Sequence, residues 1–493
     1  MVTTTHVPEA ARLTSAVSPD SSRPDPLGSP RPSRRSRRLW VLGCLACAVW
    51  AGCFPILSNL VPEQNWGLIA CVGYLLAAAA AAFAPARLAP RLAAGLALLG
   101  AALVPLAVML AQHWAQSEVQ VVQYSAERLL RTGSPYIPDP HRVTQYNPYL
   151  PAMALFGLPR ALLGTHSTVL RFIGDARVWF LLAFVGSVIP AWRLLRPTGE
   201  TGQTGQTGQT GPTGQTGSAA AAARSNGWLA LAAVTASPLI ALSVAVSGVD
   251  LPLIGCCLLG LACAGRGHAR RAGLVIALAC ALKWTAWPAL PVALLLLQNR
   301  YGWRAALRCA VAGLAAAGAL ILPSVLVTPG AVLEQVIRFP LGLSPMRTPA
   351  NSPLPGHLLA ELGSGGRLAS LVLLGLGGLG VALWLLLRPP GSATQAADRL
   401  AAGVAVAFLL APAGRFGYLD LPVLLVLWPR LAACSLRAVP ERALPERGAL
   451  ERAAANAPER SGIVSWEDTV VRGDTPSDDR RDPLWSPPCP SAD

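Results

Sequence analysis

Lysine is nearly missing from this chain. Of its 40 basic residues all but Lys283 are arginine, the bias that a GC-rich coding sequence produces. Charge of either sign is scarce: Asp, Glu, Lys and Arg make up 13% of the residues, against roughly 25% in an ordinary soluble domain. That excludes a soluble globular enzyme of 493 residues, which needs far more polar surface. Low complexity throughout is excluded as well, because 53% of the residues are hydrophobic despite 46 Gly and 44 Pro, and the mean hydropathy is +0.46. What the chain does have is a succession of apolar runs of about 20 residues, the length that crosses about 30 Å of hydrocarbon. It reads as an all-α, polytopic transmembrane helical protein with about 11–13 membrane segments.

The net charge of +15 is of the size seen in nucleic-acid binders, but its placement argues against that partner. The arginines sit in short loops and termini, as with Arg34, Arg35, Arg37 and Arg38 just before the first apolar run, which is the positive-inside pattern. Nine of the eleven cysteines lie inside apolar runs, where a thiol behaves as a small apolar group. Cys44 and Cys47 form a CxxC, but inside such a run it indicates neither disulfide nor metal. The six histidines show no ligand spacing, so no metal and no cofactor is expected. Gly375, Gly377 and Gly380 match the dinucleotide fingerprint GxGxxG, yet no strand precedes them, and helix packing explains them better.

The chain divides by composition. Residues 1–38 form a basic, Ser/Pro/Arg-rich arm expected to be disordered and cytoplasmic. Residues 39–195 form a first transmembrane part containing a polar, Tyr-rich loop at 113–149 and a short apolar piece at 150–164. A Thr-Gly-Gln run fills a low-complexity linker at 196–226, a second transmembrane part covers 227–436, and a charged tail expected to be disordered occupies 437–493. With the N-terminus inside, Arg87, Arg91, Arg193, Arg196, Arg266 to Arg271, Arg300 to Arg308 and Arg388 all face the cytoplasm. This requires 150–164 to dip in without crossing, and 272–283 with 286–298 to be two short legs. A second topology lets 150–164 cross and breaks 227–248 at Pro238. Both put the loop 113–149, Asp250, Lys283, the loop 328–365 and Arg415 on the extracytoplasmic side of a multi-pass cell-membrane protein. Polar groups costly in lipid thus converge on one face.

Four of the seven tyrosines, Tyr124, Tyr136, Tyr146 and Tyr149, fall in the first loop. Val119, Val122, Ala126 and Leu129 have the spacing of an interfacial amphipathic helix over 118–131. Its carboxylates are Glu118, at the membrane exit, and Glu127, which with Arg128 and Arg131 reads as a solvated face. Lys283 ends an apolar run, where it either snorkels or binds an anion. Arg415, after Pro412 and Gly414, is an interfacial anchor or a ligand for the same anion. Asp250 either caps the helix that starts at Leu251 or contacts substrate. Asp175 and Arg177 are spaced to pair with each other. Arg338, Arg347, Asn351 and His357 are placed to meet substrate by location alone.

The series Glu118, Val121, Ala126, Leu129, Leu130, Gly133, Pro135, Tyr136, followed by Y-N-P-Y-L-P with Tyr146, Pro148 and Pro151, resembles the first external loop of GT-C glycosyltransferases that use polyprenyl-phosphate sugars. Within that superfamily it is most similar to glycosyltransferase family 87, alpha-mannosyltransferase-like integral membrane proteins common in high-GC bacteria. The similarity continues through S-G-V-D-L-P at 247–252, A-G-L-V-I-A-L-A-C-A-L-K-W-T-A at 272–286 and A-P-A-G-R-F-G-Y at 411–418, covering about residues 110–434. The resemblance implies transfer of a hexose, such as mannose, from a polyprenyl-phosphate donor to an extracytoplasmic glycan or glycolipid acceptor, with inversion and no metal. Such a transfer needs a base for the acceptor hydroxyl and cations for the departing phosphate. Glu118 would be the base; Lys283 and Arg415 would hold the phosphate; Asp250, Tyr136, Tyr146 and Tyr149 would contact substrate. Two features depart from the family: Glu118 stands where Asp is usual, and three apolar runs precede the loop where one is usual. A lipid-linked sugar transporter or a catalytically inactive relative are the rival readings, although the chain shows no internal repeat of the kind transporters carry.

Overall fold

A computed structural model describes residues 34–196, 227–346, 348, 350 and 352–437. The basic arm before residue 34, most of the Thr-Gly-Gln linker and the tail after residue 437 lie outside the described residues, as do Arg347 and Asn351. Among the described residues the secondary structure is helical, with no strand. Eight helices are long and apolar enough to cross a membrane: Arg34–Leu57, Val61–Phe83, Ala89–Ala111, Ala176–Leu195, Trp303–Val327, Ser364–Leu387, Ala393–Leu410 and Phe416–Ala433. A ninth arises if Gly227–Thr235 and Pro238–Val246, bent by 67° to each other, count as one span. The break falls at Pro238, whose missing N–H ends the first helix and suits the first turn of the next. Three shorter helices, Leu251–Gly265, Ala269–Leu282 and Ala289–Tyr301, run beside them. Eight or nine full-length helices among the described residues are fewer than the 11–13 segments expected, and the remainder of that expectation fell on helices too short to qualify.

Hydrogen bonds sort the helix termini into two ends. At one end Arg266 donates to Leu194 O (2.6 Å) and to Arg196 O, Arg300 and Tyr301 donate to Gly265 O (3.2 and 2.8 Å), and Asn299 donates to Pro390 O (3.2 Å). Arg37 likewise caps the exposed carbonyls at the end of the second helix, donating to Ala81 O (2.9 Å) and Ala84 O (2.8 Å). At the opposite end Gln116 N–H donates to Val246 O (3.2 Å) and Leu150 N–H to Leu282 O (3.0 Å). Residues 151–163 form a 3-10 turn and a short helix whose neighbours on both sides belong to this second end. The arginine-rich connections and the Tyr-rich loop therefore occupy opposite ends of the bundle.

The core is built on close helix approach. A Cβ placed on Gly73 would lie 2.6 Å from the Gly100 backbone, so the second and third spans touch at a glycine pair. Trp66, Tyr74, Phe180, Phe184 and Trp428 fill the larger spaces and are fully buried. Trp66 donates to Ala101 O (2.8 Å) and Tyr74 to Ala236 O (2.7 Å), which satisfies their polar ends. Cys44 is buried, and its thiol is free, as are those of Cys47, Cys53, Cys71, Cys256, Cys257, Cys263, Cys280 and Cys309. Leu39, Leu42, Val49 and Trp50 on the first helix, and Leu376, Leu379 and Leu383 on Ser364–Leu387, face outward, as suits contact with lipid.

Candidate functional site

The Tyr-rich loop opens with a helix at Ser117–Thr132, close to the expected bounds. It buries Val119, Val121, Val122 and Ala126 on one face and stops at Gly133, whose φ of 73° is the left-handed conformation glycine adopts freely. Its start is pinned by Gln116, whose side chain donates to Glu63 Oε1 (2.7 Å), while Ser58 donates to Glu63 Oε2 (2.6 Å). Glu118 thus lies in the first turn, where the helix dipole favours a carboxylate. One of its oxygens is ion-paired with Arg415, and the other, Oε2, is buried without a partner.

Arg415 is reached from the other half of the chain. It precedes the short turn Phe416–Leu419 and the last helix, and its neighbours are tied down by Gly414 N–H to Ala350 O (3.1 Å) and Phe416 N–H to Ser352 Oγ (3.2 Å). Burial opposes its charge, but Glu118 beside it, with Tyr418 and Tyr149, raises its pKa and keeps the guanidinium charged. His357 faces Pro412 O at 3.1 Å and so braces this turn from outside the cavity.

Lys283 ends the helix Ala269–Leu282 in extended backbone, before the turn that leads to Pro288. Its side chain is 9% exposed and its Nζ donates to Asp250 Oδ1 at 2.7 Å. The ammonium also stands 4.3 Å from the centroid of the Tyr418 ring and 5.8 Å from that of Tyr149, within cation–π range. Asp250 corrects one expectation. It occupies the N-cap position of Leu251–Gly265, yet its side chain makes no cap hydrogen bond, because Lys283 takes it instead.

The tyrosines separate into two roles. Tyr149 and Tyr146 line a cavity of about 560 Å³ together with Glu118, Lys283 and Arg415. Desolvation raises the Tyr149 hydroxyl well above the ordinary tyrosine range, so it stays an O–H donor. Tyr136 is fully buried behind that wall and donates to Tyr149 O (2.8 Å), which makes it a brace for the loop. Arg128 donates to Tyr136 O (2.6 Å), so this arginine is not the simply solvated residue that the helix pattern suggested. Asp175 and Arg177 pair as expected (2.9 Å). Arg177, 1% exposed, also donates to Trp114 O and Ala245 O (2.8 Å each), locking the loop entrance to the bundle.

Three further residues belong to the neighbourhood. Tyr418 lines the cavity, Glu63 holds the Glu118 turn, and Asp420 is buried with Oδ2 accepting from Ser243 (2.5 Å) and Oδ1 unpartnered. Tyr418 was visible as the last letter of A-P-A-G-R-F-G-Y. Glu63 showed only as an acid at the start of an apolar run, which reads equally well as a helix-end charge. Much of the remaining lining is apolar, including Trp287, Pro291, Leu374, Val404 and Ala407. No group of three or more His, Cys, Asp or Glu positioned to hold a metal occurs among the described residues.

The model of glycosyltransferase family 87 matches residues 147–412, more than half of the chain. That stretch contains Tyr149, Asp250 and Lys283; Glu118 and Arg415 flank it. No curated protein and no solved structure matches the chain.

Proposed function

This chain belongs to glycosyltransferase family 87, and on that premise we propose that it moves a hexose from a polyprenyl-phosphate donor to an extracytoplasmic glycan or lipid acceptor. Mannose is the first sugar to test. The observation that carries this reading is one shared cavity: Glu118, Lys283 and Arg415 line it together, and the rest of its lining is mostly apolar. A lipid-linked phosphate matches that pairing, with its charged head on the cations and its isoprenoid chain along the apolar lining from Ala289–Tyr301, Ser364–Leu387 and Ala393–Leu410. The three short helices support the same placement. At 13 to 15 residues they are about 20 Å long, short of the about 30 Å hydrocarbon core. With Arg266 to Arg271 at one interface, Asp250 and Lys283 then sit below the other, at a depth a lipid headgroup reaches.

The residues have separable tasks. Lys283, oriented by Asp250, is a point charge for the phosphate, and Arg415 offers its planar fork. Arg415 is ion-paired with Glu118. An arriving phosphate competes for the guanidinium and releases the carboxylate, so the base becomes free as the donor binds. The acceptor oxygen then attacks the anomeric carbon and its proton passes to Glu118. The bond from that carbon to the phosphate oxygen breaks, and the electron pair leaves with polyprenyl phosphate, stabilised by both cations. Attack opposite the leaving group inverts the anomeric centre. The arginine-rich end lies away from the cavity, and by the positive-inside rule this supports an extracytoplasmic site in the cell membrane.

Vesicles containing the protein and supplied with labelled polyprenyl-phosphate-mannose, -glucose or -arabinose test the reading. It predicts transfer to endogenous acceptor from at least one donor. Absence of transfer from all three, with folded protein confirmed, overturns it.

A further inference from the structure

A second cavity, of about 710 Å³, lies beside the first across Tyr146, and its walls carry polar side chains among Pro, Leu and Met. One wall is the segment 138–146 of the first loop, with Asp139 and His141; the other is 334–346, with Glu334, Arg338 and Ser344. The two loops are fastened together. Asn147 N–H donates to Gln335 Oε1 (3.0 Å), Gln335 Nε2 donates to Ile137 O (2.5 Å), and Ser134 shares a hydrogen bond with Thr328 (2.5 Å). Glu334 is held in place by Ser344 Oγ (2.6 Å) and faces Arg338 at 3.4 Å.

Tyr146 is the partition between the cavities. It lines both and stacks on Phe339 with ring centroids 4.5 Å apart. Its hydroxyl takes no partner among the described residues, unlike that of Tyr136. Burial, followed by the negative charges of Glu334 and Asp139, raises that hydroxyl above the ordinary range, so it remains a donor. Charge selects the occupant: two carboxylates, Glu334 and Asp139 (the latter 3.3 Å from His141), against the single guanidinium of Arg338 disfavour a phosphate or other anion. A neutral ligand rich in hydroxyls satisfies acceptors and donors at once.

We propose that this second cavity is the acceptor subsite and that it takes a saccharide, whose hydroxyls donate to Glu334 and Asp139 and accept from Arg338 and Tyr146. The proposal rests on the glycosyl-transfer reading and deepens it by naming the acceptor class. Its volume falls in the range of about 300–1,000 Å³ typical of small-ligand sites. A saccharide seated there presents one hydroxyl past Tyr146 toward Glu118, while the lipid donor occupies the first cavity. Donor and acceptor thus enter separately, one from lipid and one from water.

The test uses the full chain in lipid nanodiscs, with mannotriose and maltotriose as probes. Saturation-transfer NMR reads binding, and initial rates from polyprenyl-phosphate-mannose read the acceptor KM. The side chains of Arg338 and Asp139 are 56% and 83% exposed, so Arg338→Gln and Asp139→Asn leave the fold intact, and Glu334→Gln completes the set. The expected result is saturation transfer to at least one trisaccharide in the wild type. The acceptor KM rises about tenfold in Glu334→Gln and Arg338→Gln, with donor KM unchanged, and Glu118→Gln still binds the saccharide. No saturation transfer in the wild type, or signal and acceptor KM unchanged in all three variants, overturns the subsite. Binding that depends on the second cavity but is never followed by transfer sinks the transfer reading and leaves the saccharide site standing.

Discussion

Lys283 illustrates what one buried charge requires of its surroundings. Leaving an ammonium unpaired out of water costs several kcal/mol, so the site supplies Asp250 at 2.7 Å and the face of Tyr418. Asp250→Leu should therefore lower stability by about 3–5 kcal/mol, and Asp250→Leu with Lys283→Met should recover most of that loss while transfer stays abolished. Melting temperatures of the single and double variants check this; a double variant no more stable than the single contradicts the pairing argument. Tyr136→Phe tests the two roles assigned to the tyrosines. It removes one buried hydrogen bond, costing about 1 kcal/mol, and should leave the transfer rate within a few fold, whereas the rate should respond strongly to Tyr149→Phe. The cavity-lining residues Glu118, Lys283, Arg415, Tyr146 and Tyr149 were legible in the sequence as candidates, because polar groups beside apolar runs stand out. Tyr418 was not assigned a role, since its value lies in standing over Lys283, a neighbour 135 residues away in the chain. Asp250 was left open between a cap and a substrate contact for the same reason: helix position is written locally, and a partner such as Lys283 is not.

At the scale of elements, the loop helix Ser117–Thr132 followed directly from its apolar spacing and from Gly133 at its end. The spacing did not disclose what aims it. Arg177 does so by reaching Trp114 O and Ala245 O on two other elements, and Gln116 by reaching Glu63 on the second span. Arg177→Met leaves Asp175 without its buried partner and both carbonyls without a donor. Its expected effect is a loss of about 3–5 kcal/mol, seen as a lower melting temperature, with the surviving folded protein still active. A melting profile like that of the wild type would show the clamp to be dispensable. The glycine pair at Gly73 and Gly100 offers an independent check. A side chain at either position collides with backbone, so Gly100→Val should cost about 1–3 kcal/mol and separate the second and third spans. In the GxGxxG at 375–380 the middle glycine packs closely, since a Cβ on Gly377 would lie 2.7 Å from Val406, whereas one on Gly375 or Gly380 meets nothing within 4 Å.

At the scale of the whole molecule, hydropathy alone gave an all-α membrane bundle, because spans must bury every backbone polar group in their own helices. It gave the count less well: eight or nine helices have full length, and the remainder of the expected number fell on helices too short to qualify, among them those around Lys283 and Asp250. Of the two topologies left open, the second supplied the break at Pro238, while the neighbours of 151–163 on both sides lie at the end of the bundle that holds the Tyr-rich loop. Periodicity cannot distinguish a short crossing helix from a dipping one; only the partners of its two ends can. The two-ended arrangement predicts sidedness. In sealed vesicles of known orientation, a membrane-impermeant trisaccharide acceptor should be used only from the face opposite the Arg266 to Arg271 connection, and use from the arginine-rich face would reverse the assignment.

The proposed mechanism has Glu118 take the acceptor proton in the cavity it shares with Lys283 and Arg415. The most direct measurement compares transfer from polyprenyl-phosphate-mannose by wild type and Glu118→Gln in nanodiscs, with donor binding followed in the same samples. Loss of a general base predicts a rate about 10²–10⁴ lower with the donor still bound, because Arg415 is then free for the phosphate. Transfer at the wild-type rate in Glu118→Gln would contradict the account and move the base elsewhere in the cavity.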